Sequence, residues 1–252
     1  MKVTGFQPNL INPSNKPESL LEKLASGKKV NSAADDAAGL AIINRLSAEL
    51  EGYLTGAQNG QDGISIAQTA DAAYSSIGDN VSRIRELSIQ ANSGILTDTD
   101  RQAIQSEITQ LTDEVTSIVD DATFAGVDLM KSNGNIGISL GKGSNIDVET
   151  KDVGTDLNGL GFNAIDVTSA AGAQAALGTL DSVTEYIGTA RAELGAAENR
   201  IGASIRNLHT QHENASAARS RRQDTDYAQA TSERIKNNIL QQAQISVQSQ
   251  SN

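Results

Sequence analysis

Apolar residues recur at helical spacing through two long blocks of the chain. In the first block they stand at Ile43, Leu46, Leu50, Tyr53, Ala57, Ile64, Ala67, Tyr74, Val81 and Ile84. In the last block the same rhythm runs through Leu180, Val183, Ile187, Ala190, Leu194, Ala197, Ile201, Ile205 and Leu208. This spacing is typical of a coiled-coil seam. Because each seam needs an apolar partner, we expect the two blocks to pack against each other as antiparallel helices.

The segment between the blocks begins with a shorter helix, predicted over about residues 97–120 after a stop at Gly94. Thr97 or Asp98 can cap this helix. Its apolar stripe consists of Ile104, Ile108, Leu111, Val115 and Ile118. The period then changes to alternation in "GNIGISLGKGSNIDVET", which predicts a β-hairpin with one apolar face. "DLNGLGF" and "SAAGAQAAL" are interpreted as connections to the last helix.

The fold class expected from this pattern is mainly α. Long N-terminal and C-terminal helices would form an elongated antiparallel bundle or coiled coil, joined by one internal helix and a small β-hairpin region.

Composition narrows the classes of protein that fit this pattern. Aromatic residues make up 3% of the chain and Trp is absent, so any core between the helices must be thin. The 20 Lys and Arg are outnumbered by 31 Asp and Glu, which argues against nucleic acid as a partner, because binding phosphate needs clustered positive charge. Cys is absent, which excludes disulfides and thiolate metal sites. No segment predicts a cleaved signal peptide or membrane insertion.

Two adjacent acids, Asp35 and Asp36, stand in the helix-prone stretch "VNSAADDAAGLAI". They could be paired catalytic carboxylates or part of a helix start. Neighbouring residues on a helix point about 100° apart, which makes a shared substrate proton difficult. We therefore interpret Asn31 or Ser32 as the cap, with Asp35 and Asp36 in the positive first turn.

The two histidines of the chain lie close together in "LHTQHEN", where His209, His212 and Glu213 could in principle bind a metal ion. Their spacing is poor for metal binding, and the chain has no Cys or further His. "SLGKGSN" lacks the spacing of a phosphate-binding loop and predicts a hairpin turn instead. The sequence therefore predicts no active site, no metal and no cofactor.

Six stretches carry a family resemblance. "LASGKKVNSAADDAAGLAIINRL", "NGQDGISIAQTADAA" and "RIRELSIQANSG" resemble the N-terminal region of bacterial flagellin, and "LGAAENRIGASIRNL", "ARSRRQDTDYAQAT" and "ILQQAQISV" resemble its C-terminal region. The hairpin after "TFAGVDLM" is similar to the β element of the flagellin core. The variable outer domains of many flagellins have no room here, so the chain is identified as a minimal flagellin.

The resemblance implies a structural subunit of the flagellar filament and no enzymatic activity. Such a subunit would be exported unfolded through the flagellar type III channel, with a chaperone, to an extracellular filament. Its main partners would be identical copies, joined by heterologous contacts that extend a helical array.

The resemblance also implies that a receptor of the host binds this protein. A vertebrate Toll-like receptor recognises many flagellins through a motif similar to "RIRELSIQ" and the following helix. Residue by residue this motif maps to Arg83, Leu87, Gln90 and Glu107. The polar members of the set could equally be exposed helix residues that make lateral contacts between subunits, and the two interpretations are compatible.

The sequence departs from the family along the helical seams. Extended past Leu208, the last seam reaches His212, Ala215 and Arg222, where the family usually has branched aliphatic residues. Lys28 stands where Leu is common in the family. A basic group in a seam is poorly tolerated unless it is paired or lies at the rim.

Both ends of the chain also depart from the family, which begins with a long helix and ends with an apolar tail. Pro8, Pro13 and Pro17 are expected to interrupt the first, and "VQSQSN" replaces the second. One hypothesis is therefore a soluble, assembly-deficient core that acts as a receptor ligand or surface-binding ligand. The predicted regions are a degenerate N-terminal segment (1–30), N-terminal core helices (31–122), a β-hairpin region (123–168), the C-terminal core helix (169–222) and a shortened C-terminal segment (223–252).

Overall fold

The computed structural model describes residues 15–141 and 143–250. Its helices are α1 (Asn15–Ser26), α2 (Ala37–Ala91), α3 (Asp98–Asp121), α4 (Val153–Gly159), α5 (Ala170–Gln223) and α6 (Tyr227–Gln250). Its strands are β1 (Thr123–Phe124), β2 (Val127–Asp128), β3 (Gly134–Ser139) and β4 (Asn145–Thr150). The mainly helical fold class with small antiparallel two-stranded sheets is confirmed.

The described residues form two compact units. The central unit consists of residues 52–210, and the terminal unit consists of residues 15–51 and 211–250. Both α2 and α5 contribute residues to each unit.

In the central unit, α2 and α5 pack against each other as antiparallel helices. Their polar contacts advance along α2 as they retreat along α5, from Asp71 with Arg191, through Arg85 with Asp181, to Asn92 with Gln174. The buried seam positions are Ala57, Ala67, Tyr74, Val81 and Ile84 on α2, and Leu180, Val183, Ile187, Ala190, Leu194, Ala197, Ile201 and Leu208 on α5. The predicted pairing of the two long blocks is therefore confirmed.

The internal helix α3 begins with a capping box, as the sequence predicted for Thr97. The Thr97 hydroxyl accepts the backbone N–H of Asp100, whose carboxylate accepts the Thr97 N–H at 3.0 Å. The next residue, Arg101, is buried, and its guanidinium donates to the carbonyls of Ala91 and Ser93 at 3.0 and 3.1 Å. Arg101 thus satisfies carbonyls at the end of α2, which have no partner within the helix.

Strands β3 and β4 form the predicted hairpin, with Ile138 opposite Ile146. The buried face consists of Ile138, Leu140, Ile146 and Val148. At the turn, Gly141 and Gly143 have φ of 87° and 77°, in the left-handed region that glycine adopts most readily.

The hairpin packs on a face of α2 made of Gly56, Gly60 and Gly63, which we call the glycine seat. A Cβ added at Gly56 would lie 2.4 Å from the carbonyl oxygen of Leu140. At Gly63 it would lie 2.8 Å from a side-chain carbon of Ile138. The close approach of the hairpin therefore depends on the absence of side chains at these positions.

The segment between the hairpin and α5 is more ordered than the sequence predicted. Much of "DLNGLGF" belongs to α4 and to a 3-10 turn at Phe162–Ala164, so its interpretation as a plain connection is wrong. α4 forms because the Asp152 carboxylate accepts the N–H of Thr155 at 2.9 Å, and Leu157 and Phe162 are buried. "SAAGAQAAL" lies within α5 from Ala170 onward, because its alanines bury a helical face at Ala173 and Ala176.

In the terminal unit, α1 contacts α6. The Tyr227 hydroxyl donates to the carbonyl of Leu24 at 2.9 Å, and Lys28 forms an antiparallel β-bridge with Asp224. Pro17 lies in the first turn of α1, where a missing N–H costs no helical hydrogen bond, so the expectation that it interrupts a helix is wrong. Pro8 and Pro13 lie outside the described residues.

The start of α2 differs from the predicted cap at Asn31 or Ser32. The capping group is Asp36, whose carboxylate accepts the N–H of Gly39 at 2.8 Å. The Asp35 carboxylate instead closes the preceding turn by accepting the N–H groups of Ser32 and Asn31 at 3.0 and 3.1 Å. These hydrogen bonds lower the pKa of Asp35. Both acids therefore precede the helix rather than occupying its first turn: Asp36 caps an N–H group inside α2, whereas Asp35 accepts N–H groups of the turn before it.

Candidate functional surfaces

The last helix turns most of its large apolar side chains to solvent. Between 50% and 70% of each side chain is exposed for Ile235, Ile239, Leu240, Ile245 and Val247, which we call the α6 apolar face. The polar residues Asn237 and Gln241 are, in contrast, half-buried. Most polar residues of α6 are exposed as well, so the helix buries little of its apolar surface within the chain. Clustered exposed apolar residues mark an interaction site.

The residues that depart from the family lie in the terminal unit. His212 and Ala215 are half-buried on α5, whereas Lys28 and Arg222 are exposed. The half-buried positions on the predicted rhythm of the α5 seam therefore include His212 and Ala215 but not Arg222. Close to this end of α5, Lys28 forms a backbone bridge with Asp224.

A second polar surface is formed on α2 and α3 by Arg83, Gln90 and Glu107, which we call the Arg83 surface. The Arg83 guanidinium donates to Glu107 at 2.8 Å and to Glu86 at 3.1 Å. These hydrogen bonds and charges, those of Glu107 foremost, raise the pKa of Arg83 above its ordinary value. Gln90 is exposed seven residues further along the same helix, close to the same face.

Leu87 does not lie on the Arg83 surface, although the resemblance groups it with these residues. Only 3% of Leu87 is exposed, and it belongs to the apolar core of the central unit together with Ile84 and Ala91. Its position on the inner face of α2 means that Leu87 supports the surface from beneath rather than presenting its side chain there.

The two histidines form no metal centre with their neighbours. His209 and Glu213 are exposed and His212 is half-buried. Across residues 15–141 and 143–250, no three His, Cys, Asp or Glu side chains are placed to hold a metal ion. In the same part of the chain, no helix combines the length and apolarity needed to cross a bilayer.

A groove in the central unit runs between β4 and α5 and is lined in part by Tyr74, Lys151 and Glu193. The Tyr186 hydroxyl donates to Asp156 at 2.7 Å, and the Lys151 ammonium lies 5.9 Å from the centre of the Tyr186 ring. Lys151 also pairs with Glu193. Burial raises the pKa of Tyr74 to about 12, so its phenol stays protonated and neutral. These contacts stabilise the packing of β4 and α4 on the long helices and offer no activated nucleophile or base.

Comparison with known proteins finds flagellins that match most of the chain. The model of the bacterial flagellin N-terminal helical region matches residues 6–135, and that of the C-terminal helical region matches residues 177–252. Flagellin of Bacillus subtilis is 36% identical over 92% of this chain and 88% of its own length. The flagellar filament 30.7 kDa core protein of Treponema maltophilum is 34% identical over 92% of this chain and 87% of its own length.

Among solved structures, the crystal structure of Bacillus cereus flagellin superposes with a TM-score of 0.54 at 29% identity. It covers 64% of this chain and 94% of that chain. The regions matched by the two family models include α2, α3, α6 and most of α5. These helices carry the α6 apolar face and the Arg83 surface. The chain belongs to the bacterial flagellin family and is a structural subunit of the extracellular flagellar filament, not an enzyme.

Proposed function

We propose that this subunit polymerises through its long helices, with the α6 apolar face buried against neighbouring copies. The observation that carries the proposal is the exposure of the α6 apolar face, on a helix where Asn237 and Gln241 are the half-buried residues. Burying one fully exposed Ile or Leu side chain contributes on the order of 1.5–3 kcal/mol, so five half-exposed residues repeated in every subunit supply a large driving force. Before assembly the same face would need a chaperone and the export machinery to keep it from aggregating.

Electron microscopy of the purified chain, with pre-formed seeds or a precipitating salt, tests polymerisation directly. We expect filaments from the wild type and none from Ile239→Ser/Ile245→Ser. Ile95→Ser is the matched control, because Ile95 is 90% exposed and lies outside α6. All of these side chains are largely exposed, so circular dichroism should show unchanged helicity.

The alternative function, an assembly-deficient soluble core that acts as a ligand, is favoured by the charged residues Lys28 and Arg222 at positions where the family has apolar ones. If the wild type stays monomeric under every seeding condition while the helices remain folded, the polymerisation proposal fails and the alternative replaces it. Filaments that persist in the α6 double variant would show that a different surface drives assembly.

We further propose that the vertebrate flagellin-sensing Toll-like receptor binds the Arg83 surface. Support comes from its composition and geometry: Arg83 is half exposed and ion-paired with Glu107, and Gln90 is exposed. A guanidinium already oriented by an ion pair loses less side-chain entropy on binding than a mobile one.

The receptor proposal is tested by a reporter-cell assay with Arg83→Ala, using Arg85→Ala as the matched control. Arg85 is also on α2, partly exposed and ion-paired, but its partner is Asp181 on α5. We expect Arg83→Ala to reduce activation at least about tenfold, the effect of losing roughly one charge-assisted contact. Equal losses in both variants would contradict the assignment. Leu87→Ala should act through stability, so its loss of activation should accompany a lower melting temperature.

A further inference from the structure

Charge is distributed unevenly between the two units. Residues 52–210 contain 9 Lys and Arg and 21 Asp and Glu, whereas the rest of the chain contains 11 and 10. The central unit therefore has a net charge of −12, whereas the rest of the chain has a net charge of +1. Within that unit α3 is strongly acidic, with seven acids and one base, and the base, Arg101, is buried.

The terminal unit concentrates positive charge at one place. The bridge between Lys28 and Asp224, together with the hydrogen bond from Lys29 N–H to the carbonyl of Gln223, brings two distant segments of the chain side by side. The result is a basic patch whose four exposed members are Lys28, Lys29, Arg221 and Arg222.

The basic patch has few local counter-charges. Asp224 is engaged by the Ser220 hydroxyl, and Asp226 accepts the N–H groups of Ala228 and Gln229 at the start of α6. Over the described residues none of the four basic side chains forms an ion pair. Like charges kept this close repel one another, so the patch gains stability when an acidic partner covers it.

We propose that the basic patch binds the outer face of α3 in a second copy of this chain, an inference that rests on the proposed polymerisation. The acidic residues available there are Asp113, Glu114 and Asp121, which are exposed and form no ion pair over the described residues. The other acids of α3 include Glu107, which is paired with Arg83, and Asp120, which is paired with Lys131.

A second copy fits better than other polyanions for two reasons. The net charge of −11 repels nucleic acid at long range, whereas the patch and α3 are complementary parts of one molecule. A patch on one unit and its complement on the other also form a heterologous pair, and such pairs build open helical arrays. Complementary charge of this kind sets register and association rate.

A charge-swap experiment tests the contact. Arg221→Glu/Arg222→Glu reverses the patch, Asp113→Lys/Glu114→Lys reverses α3, and a chain with all four changes restores complementarity. Arg200→Glu/Arg206→Glu is the matched control, since it makes the same change in net charge on exposed residues of the central unit. The readout is the critical concentration for assembly at about 0.05 M and about 0.5 M salt, on either side of physiological screening.

We expect each reversal to raise the critical concentration about tenfold at low salt, with recovery in the four-fold variant and little change in the control. High salt should narrow these differences. Unchanged assembly in the patch variant, or no recovery in the four-fold variant, would overturn the inference while leaving polymerisation intact.

If the wild type does not polymerise at all, the proposed function fails separately, and light scattering of the monomer still decides the contact. The wild type should show attraction at low salt that is lost in Arg221→Glu/Arg222→Glu but kept in the matched control. Net repulsion in all three proteins would overturn the inference.

Discussion

Gly52, outside the glycine seat, and Gly56, within it, lie one turn apart on α2 and allow a quantitative test of how the hairpin packs. By helix propensity alone, Gly→Ala stabilises a helix by about 1 kcal/mol. At Gly52 an added Cβ meets no atom within 4 Å, so Gly52→Ala should stabilise the protein by up to about 1 kcal/mol. At Gly56 the added Cβ lies 2.4 Å from the backbone oxygen of Leu140, which no rotamer change can move away.

The hairpin must therefore shift in Gly56→Ala, and overpacking of this kind costs about 1–3 kcal/mol. After the propensity gain is subtracted, Gly56→Ala should be destabilised by up to about 2 kcal/mol. The two variants should thus differ by about 1–3 kcal/mol although their chemistry is identical. Urea denaturation followed by circular dichroism measures the difference as a change in midpoint at constant slope. A Gly56→Ala protein as stable as Gly52→Ala would show that the hairpin is not seated on this face.

Three further perturbations have defined outcomes. Ala125 has a φ of 49° next to Gly126, so Ala125→Asn, which tolerates the left-handed region, should raise the unfolding free energy by about 0.5–1 kcal/mol in urea. Asp36→Ala removes the cap of α2 and should lower stability by about 1 kcal/mol, whereas Asp36→Asn should lose less. The pKa of Tyr74 is about 12 in the folded protein against about 10 unfolded. The contribution of the neutral phenol to stability should therefore be fully present below pH 10 and be lost as the pH rises towards 12. Tyr74→Phe should flatten that fall in pH-dependent melting; an unchanged slope would contradict it.

The elements predicted from sequence are those whose signal is local and repeated. Helical spacing continues over dozens of residues in α2 and α5, so single irregular positions do not obscure it. The hairpin was predictable because Ile138 and Val148 lie in strictly alternating stretches around a glycine-rich turn. Thr97 was identifiable because the capping box has a fixed spacing to Asp100.

The parts that sequence did not predict depend on contacts between distant residues. Arg101 looks like an ordinary polar helix residue, and only the fold shows that it caps the preceding helix. In the sequence the glycine seat shows only as a stretch of low helix propensity. The hairpin that requires these glycines is far away along the chain, so the reason for them is not evident from the sequence. The cap of α2 was misplaced because Ser32 and Asp36 both belong to the favoured residue types, and only backbone geometry chooses between them.

Residues of the candidate surfaces can be predicted from sequence where helical spacing shows which side of the helix they occupy. Arg83 and Gln90 stand seven residues apart on one helix, so their common face follows from periodicity. Leu87 lies four residues from Arg83, and its spacing to Ile84 and Ala91 already places it on the seam. The family motif groups Leu87 with surface residues, whereas the burial of Leu87 shows that the motif spans two faces of the helix.

The polarity of α6 supplies the strongest link between this fold and polymerisation. A helix selected only to fold within its own chain would turn Ile239 inward and Asn237 outward, since that choice buries apolar area at no cost in hydrogen bonds. The observed exposure of the apolar side chains is unfavourable for an isolated subunit and becomes favourable once other copies cover them. Stability of α6 should therefore depend on protein concentration, as expected where folding and assembly are linked. Hydrogen exchange that is fast in the α6 amides of the monomer and slow in filaments would demonstrate this linkage, and equal protection in both forms would refute it.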